Sequence, residues 1–443
     1  MSKLFNKNFL LLWQGQFVSR MGTQVFLIAM LAWIKDTTDS GIMLGTISAI
    51  AGAVAIVLGP FCGVFADRNS RKKIIVVTDI LNGILMLALG AAFFFMPHRM
   101  PMLIVALFFT STLSAVVSSF FGPAISAAIP DIVPKNKLPG ANSMGMISMN
   151  ISAIIGRPLG SQLYALFGAP VLFLINGVTF LFSAFSEAFI TIPQKLPSKV
   201  KESEEVVANF KQDLVEGIKF IWSNVGLRNL VIVSAALSFF ATAVILLLPF
   251  YLEDTLLLGQ SWIEWYGYLT SIFAVGSIVG YSIAGLLRFE KEKRAILLVT
   301  LLLLDAVLYG ALAFVRDIYI VGGLAFLSGA FGGFVIVNIM TILQATTQSR
   351  LRGRVFGALA TIEGAAAPIA MALSGYLADL MDKNIPPIYL ACSISMVLIT
   401  SSMLFFKAFR QFLVFDSREL KDKDDIQPDI RPPIGEQAIF PVD

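Results

Sequence analysis

Twelve long apolar stretches run from one end of this chain to the other. A helix needs about 20 apolar residues to cross a hydrocarbon core of about 30 Å, and each stretch is long enough. None shows the strict alternation of apolar and polar residues that is typical of membrane β-barrel strands. The sequence therefore predicts an all-α membrane protein with twelve transmembrane helices. They are expected at residues 9–34, 41–66, 74–96, 101–129, 141–167, 169–192, 229–251, 263–287, 295–315, 318–344, 353–381 and 386–406.

The polar segments between these stretches divide the chain into two halves. Only 14% of the 443 residues are charged and the mean hydropathy is +0.80, which excludes a soluble globule. The longest polar interruption, residues 193–228, has six apolar stretches on each side. We therefore predict two six-helix bundles, 1–192 and 229–406, and a polar tail, 407–443, that is disordered after residue 415.

Part of the linker has an amphipathic pattern. Its apolar residues share one face of a predicted helix, which either lies on the inner leaflet of the membrane or packs on the cytoplasmic end of the bundle. The face comprises Phe210, Leu214, Ile218, Ile221 and Trp222.

Lysine and arginine residues set the expected orientation. One side of the twelve-helix arrangement collects 27 of the 33 basic residues, and the other side has only Lys35, Arg99, Arg316 and Lys383. By the positive-inside rule, the basic side is cytoplasmic and so are both termini. We expect a multi-pass protein of a bacterial inner membrane.

Small residues form stripes on four of the predicted helices. A small residue every three or four positions removes side chains from one face and lets another backbone approach. The stripes recur at every third helix, which predicts that these four helices make the closest contacts. They comprise Gly41, Gly45, Ser48, Gly52, Ala55, Gly59 and Gly63 in helix 2, Gly145, Ser152, Gly156 and Gly160 in helix 5, Gly267, Ser271, Ala274, Gly276, Gly280 and Gly285 in helix 8, and Gly353, Gly357 and Gly364 in helix 11.

The turn between the second and third stretches, GVFADRNSRKK, carries a recognisable motif. It resembles the loop motif of the major facilitator superfamily, although Ser70 stands where the motif has its second glycine. Stretches at 129–143, 214–230 and 350–357 are similar to the twelve-helix drug and macrolide efflux branch, whose members are drug:proton antiporters and whose relatives include siderophore exporters. The motif positions matched here are Gly63, Asp67, Arg68, Arg71 and Lys72.

The resemblance implies an architecture and a gate. Helices 2, 5, 8 and 11 would form the seam between the bundles, helices 1, 4, 7 and 10 would line a central cavity, and rocking of the bundles would expose it alternately. Asp67 would lie against the cytoplasmic end of helix 11, where a carboxylate near a helix N-terminus is favoured by about 0.3–1 kcal/mol. Such a contact would hold the cytoplasmic side shut. Alternatively, the basic residues of this turn serve only the positive-inside rule.

Polar residues on the four cavity helices indicate the substrate class. These faces contain one arginine, Arg20, and no acid, which favours an anionic or neutral amphiphile, siderophore-like or macrolide-like, over a cationic drug. Arg20 could instead bind a counter-ion or a carbonyl that stabilises the bundle, and Arg157 in helix 5 extends the positive cavity or pairs across the seam. The predicted cavity residues are Gln16, Arg20, Thr23, Ser114, Ser118, Ser238, Asn338 and Arg157.

Proton coupling requires a group that binds and releases a proton within the membrane. We expect Glu363 to be that group because its helix is at the seam, while Asp305 and Asp79 lie on peripheral helices and are secondary candidates. Glu187, near the cytoplasmic end of helix 6, is a further candidate for proton coupling.

Other classes of protein lack support in the sequence. The chain has no HExxH, GxSxG or Walker motif, so an enzyme or an ATP-driven pump is not expected, nor are a cofactor, a metal or a nucleic-acid partner. We expect a monomer that exports its substrate in exchange for protons. A facilitator without proton coupling and a lipid or lysophospholipid flippase of the same fold are the alternatives.

Overall fold

The computed structural model describes residues 6–134, 137–194, 215–286, 291–347 and 352–405, and the elements in these ranges are helices. Ten helices are single elements with one bilayer crossing each. They are α1 (Lys7–Thr38), α2 (Gly41–Arg68), α3 (Arg71–Phe95), α4 (Met100–Ile132), α7 (Val225–Phe250), α8 (Trp262–Leu286), α9 (Lys291–Ala311), α10 (Ile318–Thr346), α11 (Arg352–Leu380) and α12 (Ile385–Phe405).

The remaining long helix, Leu138–Ala188, contains two crossings. Its 51 residues would extend about 77 Å if straight, more than twice the hydrocarbon core. Gly168 breaks it with φ 69° and ψ 178°, a conformation that glycine adopts without steric cost. We number the two parts α5 (138–167) and α6 (169–188). Within the described ranges, the predicted twelve helices are therefore confirmed, and the chain is a multi-pass membrane protein.

Most predicted boundaries agree with the structure to within three residues. Five differ by four residues: the end of α1, the end of α6, the start of α7 and both ends of α9. α9 begins at Lys291 and ends at Ala311, four residues before the predicted positions. α7 begins at Val225 because Asn224 caps it, accepting a hydrogen bond from the N–H of Leu227 at 3.1 Å. The apolar pattern alone did not reveal this cap.

The helices pack as two bundles. In the N-terminal bundle, α1 packs on α5 and α6, α3 packs on α6, and α2 packs on α4. In the C-terminal bundle, α8 packs on α10, α7 packs on α11, and α9 packs on α12. α2 with α11 and α5 with α8 make the contacts between the bundles, which places the seam at the striped helices. We call the end of the bundles that holds Lys7, Arg68 and Arg354 the basic face, and the end that holds Lys35, Arg316 and Lys383 the distal face.

The seam between α2 and α11 is closed at the distal face and, at the glycines that the structure describes, open toward the basic face. A Cβ added to Gly41 would lie 2.5 Å from the carbonyl oxygen of Gly375, and one on Gly52 would lie 2.9 Å from Pro368 Cγ. Farther along the same stripe, a Cβ on Gly59 or Gly63 would meet no described atom within 4 Å. The bundles therefore converge at the distal face and diverge toward the basic face.

The stripe on α5 serves a different contact from the one expected. Gly156 and Gly160 face α1, where an added Cβ would lie 2.8 Å from Gln24 Cβ and 3.0 Å from Val25 Cα respectively. α8 instead approaches α5 at Ile154, whose carbonyl accepts a hydrogen bond from Ser271 Oγ at 2.8 Å. Much of the α5 stripe therefore packs inside its own bundle, which is a correction to the sequence interpretation.

A short helix at residues 215–223 packs on the basic end of α11. Ile221 is fully buried there, and Glu216 forms an ion pair with Arg354. Of the predicted apolar face, Phe210 and Leu214 lie outside the described residues, as does the tail after residue 405. The part that is described packs on the bundle, as one of the two interpretations expected.

Candidate functional site

Arg20 lies on the wall of the N-terminal bundle, between α1 and α5. Its Nη1 donates to the carbonyl oxygen of Gly145 at 3.0 Å, and its Nη2 donates to Gln16 Oε1 at 3.3 Å. Gly145 borders open space, because a Cβ added there would meet no described atom within 4 Å. Arg20 is half-buried, so part of its side chain remains accessible beside that open space. Thr23, one turn farther along, donates to the carbonyl oxygen of Ser19 at 2.9 Å.

Arg157 lies deeper in the same bundle, where α5 meets both α1 and α8. Its Nε donates to Gln24 Oε1 at 2.9 Å, and it is half-buried. Its own backbone lies against Gly267 of α8, where an added Cβ would be 3.1 Å from the Arg157 carbonyl oxygen. The second arginine therefore lies next to the interface between the bundles, with an uncharged partner in its own bundle.

The predicted serines of α4 are joined to a residue that the sequence interpretation missed. Ser114 Oγ donates to Asn82 Oδ1 of α3 at 2.8 Å, and Asn82 Nδ2 donates to Ser118 Oγ at 3.2 Å. Asn82 is 2% exposed. A buried amide in an apolar stretch needs partners, so its presence in helix 3 was a usable signal.

The polar residues of α10 do not converge on those of α1. Asn338 Nδ2 donates to the carbonyl oxygen of Phe334 in its own helix at 2.9 Å, and Ser238 on α7 is exposed. The candidate cavity is consequently more polar on the wall built by α1, α4 and α5 than on the wall built by α7 and α10.

Glu363 accepts a short hydrogen bond from Ser234 of α7, inside the C-terminal bundle. It is half-buried in α11, one of the seam helices. Asp305 lies elsewhere, on α9, where Ser328 of α10 is next to its carboxyl group. The structure therefore does not bring Glu363 and Asp305 together.

Asp79 of α3 has a partner that was not in the predicted site. Its carboxyl group faces that of Glu187 in α6, with Ser183 beside both. Gln16, predicted as a cavity residue, donates from Nε2 to Glu187 Oε1 at 3.1 Å. Gln16 thus links the cavity wall to two acids behind it.

The loop motif is organised within the N-terminal bundle. Arg71 forms an ion pair with Asp131 at the end of α4 and donates to the carbonyl oxygen of Ala127 at 3.0 Å. Ser70 caps α3 with φ −60°, a value that needs no glycine and explains how serine is tolerated there. Gly63, Arg68 and Lys72 belong to α2 and α3, whereas the side chain of Asp67 lies outside the described part of the structure.

Two groups of contacts at the distal face were missed by the sequence interpretation. The carboxylate of Asp379 on α11 caps the first turn of α2, accepting from the N–H of Gly41 and of Ile42 at 2.8 Å each. Lys35 at the end of α1 is 2% exposed and forms an ion pair with Glu253, which follows α7. Both contacts join the two bundles, so they keep the distal side of the seam closed.

The two arginines of this arrangement could bind oxygen acceptors of a small molecule, and its carboxyl groups could exchange protons. Among the described residues, no group of three or more histidine, cysteine, aspartate or glutamate side chains that could hold a metal was found. The polar groups comprise two half-buried arginines beside the seam and acids at separate positions behind or across from them.

Known proteins resemble the whole chain. A model of the Major Facilitator Superfamily matches residues 12–370 and 258–436. Macrolide efflux protein A of Streptococcus pyogenes is 26% identical over 390 residues, covering 85% of this chain and 90% of that protein. Multidrug efflux pump Tap of Mycolicibacterium fortuitum is 22% identical over 389 residues, covering 86% and 91%. Among solved structures, a bacterial homolog of the human lysosomal transporter Spinster has a TM-score of 0.65 at 16% identity, covering 94% of this chain and 97% of that chain, and supports the all-α fold.

Proposed function

We propose that this chain, which belongs to the Major Facilitator Superfamily and is therefore a transporter rather than an enzyme, exports an amphipathic small molecule in exchange for protons. The substrate is anionic or neutral, with siderophore-like and macrolide-like molecules as examples. The protein is a monomer of a bacterial plasma membrane with both termini in the cytoplasm. The efflux proteins that resemble it over most of their length support export.

The observation that carries the proposal is the asymmetry of the seam. By the positive-inside rule the basic face is cytoplasmic, so the open side of the seam faces the cytoplasm. The distal side is closed by the cap of Asp379 on α2 and by the ion pair of Lys35 with Glu253. A transporter in this state is ready to receive a molecule from the cytoplasm, which is what export requires.

The substrate class is supported by the charges near the open space. Arg20 keeps a guanidinium half-buried beside the open side of the seam, and Arg157 adds a second positive charge farther in. A guanidinium binds carboxylates and other oxygen acceptors with directional hydrogen bonds, and in a partly dry cleft these are stronger than in water. A cation would be repelled by the same two groups.

Glu363 is the proposed proton carrier. It lies on α11, which contacts the other bundle near the distal face and not near the basic face, so its surroundings change when the bundles rock. A carboxyl group that moves between wet and dry surroundings can take up a proton on one side and release it on the other.

Inverted membrane vesicles test the proposal. A proton gradient is followed with a pH-sensitive dye while anionic, neutral and cationic amphiphiles are added. Anionic compounds are expected to dissipate the gradient in the wild type. The response should be lost in Glu363→Gln, and in Arg20→Gln it should require a higher concentration of the compound. Arg99→Gln and Glu264→Gln are matched controls, because both residues lie at the distal end of the bundles, and they should respond like the wild type.

Two outcomes would contradict parts of the proposal. A response to cationic compounds that Arg20→Gln retains would make Arg20 structural and the substrate class wrong. Movement of the compound without any response of the dye would favour a facilitator over an antiporter.

A further inference from the structure

Two buried carboxyl groups meet inside the N-terminal bundle where α1, α3 and α6 pack together. Asp79 and Glu187 are each 1% exposed. Their carboxyl groups face one another, and the hydroxyl of Ser183, one turn before Glu187, lies beside both. Gly15 makes room on α1, because a Cβ there would lie 3.0 Å from Ser183 Oγ and 3.4 Å from Glu187 Cγ. We call Asp79 and Glu187 the α3–α6 acid pair.

The oxygens of the α3–α6 acid pair lack donors. Among the described residues, Oδ1 and Oδ2 of Asp79 and Oε2 of Glu187 complete no hydrogen bond. The same is true of Ser183 Oγ, although this residue is 0% exposed and its hydroxyl is aimed at the pair. Buried oxygens are normally satisfied, and two carboxylates are costly to bury without a positive charge. The geometry therefore calls for a positively charged occupant.

The described part of the chain supplies no ion-pair partner for the pair. Arg71 on α3 pairs with Asp131, the only charged residue of α4, and Arg157, the only charged residue of α5, bonds to a glutamine. The other charges of α1 and α3 lie in the first and last turns of those helices, except for Arg20. Arg20 is connected to the pair through the side chain of Gln16. The missing positive charge must come from outside the protein.

Gln16 connects the pair to the cavity wall in a way that depends on protonation. Its Nε2 donates to Glu187 Oε1 at 3.1 Å, while its Oε1 accepts from Arg20 Nη2 at 3.3 Å. If a proton binds Oε1 of Glu187, that oxygen becomes a donor and needs an acceptor. Turning the Gln16 amide over would provide one, but the amide would then present N–H groups to Arg20. The hydrogen bond between Gln16 and Arg20 would break, which frees Arg20.

We propose that Asp79 and Glu187 form a single-proton site: the two carboxyl groups hold one proton, and when that proton lies on Glu187 Oε1, Gln16 transmits its presence to Arg20. Two facing carboxylates in a dry site cannot both be ionised, so one proton is the smallest charge that satisfies them. Asp79 lies eight residues into α3, about 12 Å from the basic face, and so nearer to that face than to the distal face. The role of this site in transport rests on the proposed antiport, whereas its capacity to hold a proton does not.

Sodium is the other monovalent cation to consider. A sodium site would require oxygen ligands on every side. In the orientation present here, Gln16 turns its amide N–H toward the pair, which suits a hydrogen-bonded carboxyl pair, whereas a metal cation would require the amide to turn over. The proton is therefore the better match.

Infrared difference spectroscopy on the purified full-length protein tests the site directly. The pH is titrated in sodium-free buffer, in water and in heavy water. The wild type should show the carbonyl band of a protonated carboxyl group, and the frequency of this band should shift in heavy water. The band should disappear as the pH rises. Its amplitude should correspond to one carboxyl group per chain. The double variant Asp79→Asn/Glu187→Gln should lose this band, and Glu264→Gln, at the distal end of the bundles, should keep it.

The relay through Gln16 has its own readout. Arg20→Gln should shift the pH midpoint of the band when residue 16 is glutamine, and should leave it unchanged in a Gln16→Leu background. A merely structural role of Gln16 would give the same shift in both backgrounds.

Several results would overturn the proposal. A wild type without the band, a band that persists in the double variant, or a band removed by sodium chloride at constant pH would each do so. If the band behaves as expected while the vesicles show no proton movement, the proposed antiport is wrong and the proton site stands.

Discussion

Asp379 in α11 holds the first turn of α2 across the seam, with its Oδ1 2.8 Å from the backbone nitrogen of Gly41. Its Oδ2 accepts from Ile42 N–H at 2.8 Å and from Ser40 Oγ at 3.0 Å, and Lys383 binds Oδ1 at 2.9 Å. A carboxylate at a helix N-terminus satisfies the free N–H groups and complements the helix dipole. This contact stabilises only the state that is closed at the distal face.

Asp379→Asn should weaken that state. The variant loses the negative charge and at least one acceptor. The distally closed state should therefore lose about 1–2 kcal/mol of stability, which shifts the equilibrium between the distally closed and distally open states roughly tenfold toward the open state. Asp382→Asn, two residues past α11, is the matched control and should behave like the wild type.

The shift is measurable as a distance. Spin labels at Gly63→Cys and Gly357→Cys report the width of the seam at the basic face, where both positions are open in this structure. Cys62 and Cys392 are buried and can be replaced by alanine to avoid unwanted labelling. Asp379→Asn should add a population with a shorter distance between the labels. An unchanged distance distribution would show that the cap does not hold the distal side.

Gly375→Ala should prevent close packing of the same seam. An added Cβ at Gly375 would clash with the carbonyl oxygen of Gly41, and backbone atoms cannot move aside as a flexible side chain can. Overpacking of this kind typically costs about 1–3 kcal/mol. Gly59→Ala, in the same stripe of small residues on α2 but facing open space, is the control. The midpoint temperature of unfolding in detergent should be lower in Gly375→Ala and unchanged in Gly59→Ala. An equal decrease in both variants would contradict the assignment of the distal side as the closed side.

The twelve helices were predictable because lipid leaves the backbone few alternatives. A chain in hydrocarbon must satisfy its N–H and C=O groups internally, so apolar length alone locates the spans. The seam was predictable in part, since the small residues of α2 and Gly267 of α8 allow close approaches between the bundles. Gly276 and Gly280 of α8 instead approach α10 inside their own bundle. The family resemblance added the assignment of the cavity helices.

The partners of individual polar residues were not predictable in the same way. Each residue turns a helix by about 100°, so a small error in the rotation of a helix changes which neighbour a side chain faces. The pairing of Asp79 with Glu187, of Asn82 with Ser114, and of Asp379 with α2 depends on such rotations and on residues more than 30 positions apart. The stripe on α5 was misassigned to the seam for the same reason.

Arg20→Lys and Arg20→Gln should separate charge from geometry. Arg20 uses two different nitrogens, one on the carbonyl of Gly145 and one on Gln16. Lysine keeps the positive charge but cannot bind two groups in a plane, whereas glutamine loses the charge. Hydrogen bonds to charged groups contribute about 1.5–3 kcal/mol, so the half-saturating concentration of an anionic amphiphile in the vesicle assay should rise about 10–100-fold in Arg20→Gln. Arg20→Lys should give an intermediate value, and equal loss in both variants would indicate a structural role.

Lys35→Met should open the distal face by a second route. Lys35 is 2% exposed, and its ammonium binds Glu253 and also Asp39 at 2.8 Å. Removing Lys35 leaves Glu253 without this partner. Because the Glu253 side chain is 35% exposed, we expect the distally closed state to lose about 1.5–3 kcal/mol of stability, less than for a fully buried pair.

The double variant Lys35→Met/Glu253→Met distinguishes the ion pair from simple packing. When both charges are replaced by apolar groups of similar length, Glu253 no longer leaves an unpaired carboxylate. Asp39 and Asp254 also lose Lys35, but their side chains are 59% and 35% exposed, so water can solvate them, and a buried ion pair replaced in this way is often tolerated. The double variant should therefore unfold at a higher temperature than Lys35→Met alone, although the label distance at the basic face should still show distal opening. If the double variant is less stable than either single variant, the two residues do not act as a pair.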